Sequence, residues 1–91
     1  MEWTFLSNHA HVLLILHKDP DARIRDIAEQ VQITQRAVQR ILKDLVDDEY
    51  AYAERIGRRN HYEVNKKALL RHPLEAGTAV GKLLGVLKAA K

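Results

Sequence analysis

The residue types best suited to chemistry in this sequence are the glutamines and arginines of QITQRAVQR, residues 32–40. The pair Gln-Arg occurs there twice, with a spacing of four residues. Because one helical turn takes about 3.6 residues, both pairs project from nearly the same side of a helix. Arginine can donate two hydrogen bonds to guanine, and glutamine can form two with adenine. The candidates for contacts with base edges are Gln35, Arg36, Gln39 and Arg40.

The charges that follow this stretch decide whether it belongs to an ordinary solvated helix or to a surface that binds nucleic acid. Arginine and glutamine are good helix formers on any solvated helix, so the doubled pair alone is weak evidence. The segment then continues with acids, at Asp44, Asp47, Asp48 and Glu49. Negative charge at a helix carboxyl end opposes the helix dipole, and a solvated helix does not require this separation of charges. The segregation therefore favours a nucleic-acid contact at the amino end.

A helix over residues 34–48 would position these side chains. Thr34 is a good amino-terminal cap. The residues Val38, Ile41, Leu42 and Leu45 have the i, i+3, i+4, i+7 spacing of one buried stripe. Arg36, Arg40 and Lys43 then face outward. Lys43 suits a phosphate contact, and the helix amino end at Thr34 also favours phosphate.

Two further helices precede this one. Residues 8–18 are expected to form a helix that Ser7 or Asn8 caps and Asp19-Pro20 ends. It is apolar around more than half of its circumference, so it must be covered on more than one side. Residues 23–31 place Ile24, Ile27, Ala28 and Val31 at helical spacing. Since only two residues separate that helix from Thr34, the two helices should cross at a large angle.

An alternating pattern begins at Tyr50 and predicts a β-hairpin. The strands are residues 50–56 and 61–64, and GRRN supplies Gly57 and Asn60 for the turn. The side chains expected to face inward are Tyr52, Ile56, Tyr62 and Val64. Arg55, Arg58 and Arg59 cluster near the tip, where charge can protect a strand edge from aggregation. Three arginines without an acid before Asn60 fit better with DNA phosphates or a narrow minor groove.

The carboxy-terminal part predicts a last helix from Pro73 to about Lys88, after a linker over residues 65–73. Its apolar side is Leu74, Val80, Leu83, Leu84 and Leu87. Gly77, Gly81 and Gly85 recur along it, and close packing on another helix would offset their cost. That helix could be the first helix of the same chain or belong to a second copy, and we favour a second copy. The predicted dimer interface is Leu13, Ile15, Gly77, Val80, Gly81, Leu84 and Leu87.

The segments IRDIAEQVQITQRAVQRILKDLVDDEY and AERIGRRNHYEV resemble the DNA-binding part of MarR-like and ArsR-like transcription regulators. The resemblance covers roughly residues 8–65. It implies a winged helix-turn-helix, mainly α with a small β-hairpin, in which the helix over 34–48 enters the major groove. The hairpin, here called the wing (residues 50–65), would lie on the neighbouring backbone or minor groove. Gln32 and Glu49 stand where that family often has glycine, and a left-handed conformation there costs about 1 kcal/mol.

Composition narrows the remaining functions. The 91 residues carry a net charge of +3 and no cysteine, which excludes disulfides and thiolate metal sites. The longest apolar run, Val12 to Leu16, is far shorter than the ~20 residues of a membrane span, so we expect a cytoplasmic protein. His9 and His11 point in different directions on a helix, and the other histidines have no obvious carboxylate partner. We predict no metal, no cofactor and no enzyme, because the short chain shows no catalytic motif and little room for a cleft.

The sequence therefore predicts a winged helix-turn-helix over residues 1–70 and a dimerisation helix over 71–91. The predicted activity is sequence-specific binding of double-stranded DNA by a homodimeric transcription regulator. The alternative is a winged helix that binds an acidic protein partner. A small-molecule effector between the first and last helices has apolar lining but no convergent polar groups in the sequence.

Overall fold

The computed structural model describes residues 2–87 and contains helices followed by a two-stranded sheet and a short last helix. The elements are α1 (Asn8–Lys18), α2 (Ile24–Val31), α3 (Gln35–Asp47), β1 (Ala51–Ile56), β2 (Arg59–Val64) and α4 (Val80–Val86). This order confirms the prediction of a mainly helical chain with a small hairpin. None of the helices in the described part is long and apolar enough to cross a membrane.

α1 forms the centre of the core. Its first turn is capped by Ser7, whose hydroxyl accepts a hydrogen bond from the Ala10 N–H at 3.3 Å. Val12, Leu13 and Leu16 are buried, and the helix contacts α2, α3 and β2. The predicted bounds are confirmed, and so is the prediction that this helix is covered on several sides.

α2 and α3 are joined by the tight turn that the sequence predicts. Gln32 ends α2 in the left-handed conformation, with φ 67° and ψ 46°. The Thr34 hydroxyl accepts a hydrogen bond from the Ala37 N–H at 3.0 Å and so caps α3. All members of the predicted stripe are buried, namely Val38, Ile41, Leu42 and Leu45. The local signals of caps and spacing therefore set the position of α3.

A second left-handed residue, Glu49 (φ 65°), connects α3 to the hairpin. Asn65, the residue that follows β2, forms two hydrogen bonds with this junction. Its Nδ2 donates to the Glu49 carbonyl at 2.9 Å, and its backbone N–H donates to the Tyr50 carbonyl at 2.9 Å. The helix and the hairpin are thereby held at a defined angle by hydrogen bonds that span 15 or 16 residues of sequence.

The hairpin differs from its prediction in the turn and in the buried face. β1 and β2 pair antiparallel from Ala51↔Val64 to Ile56↔Arg59. The loop is therefore Gly57 and Arg58 alone, and Gly57 has the positive φ of 64° that a two-residue hairpin loop requires. Asn60 was predicted in the turn but lies in β2, opposite Arg55.

The inward face of the hairpin begins with Ala51, which is fully buried, and includes Tyr62. Tyr52 and Ile56 were predicted to face inward, and this is wrong, because they are 50% and 56% exposed. Both belong to the opposite face of the same strand. Alternation alone does not say which of the two faces packs on the helices. In the structure it is the face that begins with the small residue Ala51, directly after α3.

The last helix is much shorter than predicted. Turns occupy most of residues 72–77, Leu74 is 90% exposed, and α4 begins only at Val80. Its start is determined by pairing with the preceding segment, since the Val80 N–H donates to the Ala68 carbonyl at 2.8 Å and the Gly81 N–H to the Lys66 carbonyl at 3.0 Å. The predicted end at Lys88 lies outside the described residues.

The glycine series therefore does not form one helical groove. Gly77 lies in a turn with φ 97°. A Cβ on Gly81 would lie 3.0 Å from both the Cβ and the carbonyl oxygen of Lys66, so its close approach is within the chain. A Cβ on Gly85 would meet nothing within 4 Å. The prediction that all three glycines lie along one helix is wrong, because only Gly81 and Gly85 lie in α4.

Candidate nucleic-acid interface

The outward side of α3 carries the four candidate base-contacting side chains. Gln35, Arg36, Gln39 and Arg40 are all exposed. Within residues 2–87, none of these four side chains makes a hydrogen bond or an ion pair. The buried stripe of α3 faces the core on the other side. The side chains therefore occupy one accessible surface, and their donors and acceptors are available to a partner.

Two candidate phosphate contacts on α3 already have intramolecular partners. Lys43 Nζ forms an ion pair with Asp47 Oδ2 at 2.8 Å, one turn further along the helix. The hydrogen bond to Asp47 raises the pKa of Lys43. The Thr34 hydroxyl caps the helix and can still donate its own proton. Both residues lie where the sequence predicts them.

The acids at the far end of α3 bind other parts of the chain. His9 Nε2 on α1 donates to Asp44 Oδ2 at 2.9 Å, and Arg71 Nη1 is 2.6 Å from Asp48 Oδ2. The charge segregation along α3 thus also serves contacts within the domain. The accessible and unpaired cations at its amino end remain the stronger indication of an external partner.

The wing presents arginines that the chain holds to different degrees. Arg55 Nε donates to the Gly57 carbonyl at 3.2 Å, and Arg59 Nη2 donates to the Asp21 carbonyl at 3.0 Å. Arg58, in the loop, makes no such bond within the described residues. Asn60 Nδ2 donates to the Tyr62 hydroxyl at 3.4 Å. Each guanidinium has five N–H donors, so Arg55 and Arg59 keep donors for a partner.

The loop between α1 and α2 anchors the wing, which the sequence did not indicate. The Tyr62 N–H donates to the Pro20 carbonyl at 2.9 Å. His61 Nδ1 lies 2.8 Å from Asp21 Oδ1, and this hydrogen bond raises the pKa of His61. The expectation that His61 lacks a carboxylate partner is wrong. No local signal could reveal the pair, because 40 residues separate the two side chains.

A cleft of about 340 Å³ opens between α1, the end of α3 and α4. Its apolar lining includes Leu13, Leu45 and Val80, and the pairs His9–Asp44 and Arg71–Asp48 contribute polar groups. The expectations that so short a chain lacks a cleft, and that no polar groups converge between the first and last helices, are therefore wrong. No group of three or more metal-ligating side chains occurs within residues 2–87.

The residues predicted for a dimer interface are distributed over different environments. Leu13, Val80 and Leu84 are buried inside the single chain. Ile15 and Leu87 are partly exposed. Gly77 and Gly81 lie in the turn and against Lys66, as described above. The large apolar side chains that are exposed near the two ends of the described chain are instead Trp3, Phe5 and Val86.

Residues 8–51 match the model of a family described as winged helix-turn-helix DNA-binding. The matched segment runs from the start of α1 through α3 to the first residue of β1. These residues are similar to that family, and the described chain has the winged helix-turn-helix fold. Most of the wing and all of α4 lie beyond the matched residues.

Solved structures show the same winged helix-turn-helix fold. ZitR, a zinc-responsive MarR family member from Lactococcus lactis, is similar over 74% of this chain and 48% of that chain, with 27% identity and a TM-score of 0.57. The zinc-dependent MarR family transcriptional regulator AdcR in its Zn(II)-bound state is similar over 71% and 46%, with 19% identity and a TM-score of 0.55. A predicted DNA-binding transcriptional regulator from E. coli is similar over 87% and 72%, with 15% identity and a TM-score of 0.61.

The winged helix-turn-helix chain spans about half the length of the two MarR regulators. No match was found among curated protein sequences. These comparisons agree with the resemblance to MarR-like regulators that the sequence shows. They bear on the fold, whereas the candidate contacts of individual residues rest on the geometry described above.

Proposed function

We propose that this protein is a transcription regulator that binds double-stranded DNA in a sequence-specific manner. The single observation that carries the proposal is the outward face of α3. Gln35, Arg36, Gln39 and Arg40 share that face, are exposed and have no partner within residues 2–87. A helix of this kind fits the major groove, where its first two turns approach the base edges most closely.

The same proposal assigns contacts with the DNA backbone to residues around α3 and along the wing. Phosphate contacts fix the register of a protein on the duplex, and base contacts then specify the sequence. Arg58 is the best placed, because it lies in the exposed loop at the tip of the wing. The proposed contacts to the DNA backbone or minor groove are Thr34, Lys43, Arg55, Arg58, Arg59 and Asn60.

We also propose that the regulator acts as a homodimer. The support is exposed apolar side chains. Trp3 is 63% and Phe5 92% exposed, their ring centroids lie 5.0 Å apart, and Val86 is 76% exposed. Single exposed apolar residues are normal, but adjacent exposed rings such as Trp3 and Phe5 are typical of an interface. A twofold dimer would present two α3 helices about 34 Å apart and favour a near-palindromic site. Sedimentation of the parent and of Val86→Asp tests this, and a parent that remains monomeric at micromolar concentration contradicts it.

Selection of bound sequences from a random duplex pool tests the specific recognition. We expect enrichment of a defined motif by the parent chain and loss of that enrichment in Arg36→Ala/Arg40→Ala. An acidic polypeptide of matched charge serves as the competitor. If the chain enriches no sequence and binds the polypeptide as well as duplex DNA, it is a protein-interaction module and the proposed regulator is wrong.

A further inference from the structure

A concave site lies between the start of α2 and the wing. Its volume is about 350 Å³, and its lining contains three arginines, Arg23, Arg58 and Arg59. They come from two parts of the chain that are more than 30 residues apart in sequence. Folding therefore gathers three guanidinium groups around one depression.

The site has little negative charge to offset these cations. Asp21 is the one acidic residue in the lining, and its carboxylate is already bound to His61 at 2.8 Å. Within residues 2–87, Arg23 and Arg58 make no ion pair. Like charges that line one depression repel each other. An anion in the site would remove that repulsion.

The positions of the N–H donors around the site also favour the binding of an anion. Arg59 is held in place, because its Nη2 donates to the Asp21 carbonyl at 3.0 Å. Its remaining N–H donors stay available. Ile24, the first residue of α2, lines the same depression, and Arg23 provides no side-chain cap for this helix. Uncapped amide groups at a helix amino end add to the attraction of an anion when cationic side chains are already present.

We propose that Arg23, Arg58 and Arg59 form one phosphate-binding site that holds a phosphodiester of the DNA backbone beside the bases read by α3. This deepens the proposed function and rests on it, since it assumes that the wing lies against duplex DNA. It adds Arg23, which lies outside both α3 and the wing. It also gives Arg59 a phosphate rather than a minor-groove contact.

The salt dependence of duplex binding tests this site with a matched control. Arg23→Gln and Arg25→Gln remove the same charge from neighbouring positions at the start of α2, but Arg25 does not line the depression. Each lost phosphate contact lowers the slope of log K against log salt concentration by about 0.9. We expect that decrease for Arg23→Gln and little change for Arg25→Gln. Equal slopes for the two variants, with both folded by circular dichroism, overturn the site.

A second arm separates this site from the proposed function. If the parent chain does not bind duplex DNA at all, the proposed regulator fails, and titration of the free protein with inorganic pyrophosphate then decides on the site. Amide shifts at residues 22–24 and 58–60 that Arg23→Gln removes and Arg25→Gln retains indicate a site for a small phosphate ligand. Absence of those shifts overturns the phosphate site as well.

Discussion

The arginines of α3 and those of the wing differ in how the chain holds them. Arg36 and Arg40 extend from a rigid, capped helix and have no partner within residues 2–87. In the wing, Arg55 and Arg59 are bound to backbone carbonyls, and only Arg58 is unpaired in the described part of the chain. A free guanidinium on a rigid helix can direct two of its N–H groups at a base edge, which makes it suited to discrimination between bases. Guanidinium groups held against carbonyls provide positive charge at fixed positions, which is suited to contacts with the phosphates of the DNA backbone.

The largest expected effect comes from the α3 side of this comparison. Arg40→Ala should cost about 1 to 3 kcal/mol of binding to the preferred duplex, because a bidentate contact to a base is lost. It should also relax the preference at one base position. Binding to a set of single-base variants of the selected site measures both effects. Equal losses on preferred and random duplexes would show that Arg40 contacts the backbone instead.

The wing side should respond differently. Arg58→Ala is expected to weaken binding to all sequences by a similar, smaller factor, because a phosphate contact carries no sequence information. The slope of log K against log salt concentration should fall by about one. Fluorescence anisotropy with preferred and random duplexes at several salt concentrations measures this. A loss restricted to the preferred duplex would contradict the division between the two surfaces.

The rigidity of α3 depends in part on the turn that precedes it. Gln32 has φ 67°, so Gln32→Gly removes a left-handed strain of about 1 kcal/mol and adds freedom to the unfolded chain. We expect a net gain of about 0.5 kcal/mol in the free energy of unfolding, measured by urea denaturation. The control is Gln30→Gly at an exposed position in the last turn of α2, which should lower stability by about 0.5 to 1 kcal/mol. A loss at both positions would mean that the turn is unstrained.

The smallest effect concerns the anchor of the wing and depends on pH. The hydrogen bond to Asp21 raises the pKa of His61 above 6.5. The pair therefore stabilises the fold fully below pH 6.5, and this contribution is lost as the pH rises through the higher pKa of the folded chain. Melting temperatures of the parent and of Asp21→Asn should differ more below pH 6.5 than above the folded pKa. The variant keeps the backbone carbonyl that binds Arg59, so the comparison measures the effect of the Asp21 carboxylate alone. A difference that does not vary with pH would show that this pair does not titrate as described.

Both surfaces could be predicted as sets of residues, but only α3 could be predicted in its geometry. The exposure of Gln35 and Arg40 follows from the buried stripe on the other side of the same helix, since helical spacing relates the two faces. The wing has no comparable internal reference. Its strands alternate, yet the choice of face depends on contacts with α1 and the α1–α2 loop. For the same reason Arg23 was not predicted as part of any site.

The sequence by itself determined the elements whose signals are local. Ser7 and Thr34 cap α1 and α3, apolar spacing sets their buried faces, and the position of Gln32 identifies a left-handed turn. Only the tertiary structure decided that Ala51 faces inward, that Asp21 anchors His61, and that α4 starts at Val80 rather than Pro73. The physical reason is the range of the interactions. Caps and periodicity act within one or two turns, whereas these outcomes depend on hydrogen bonds and packing between segments distant in sequence, which form only when the chain has folded.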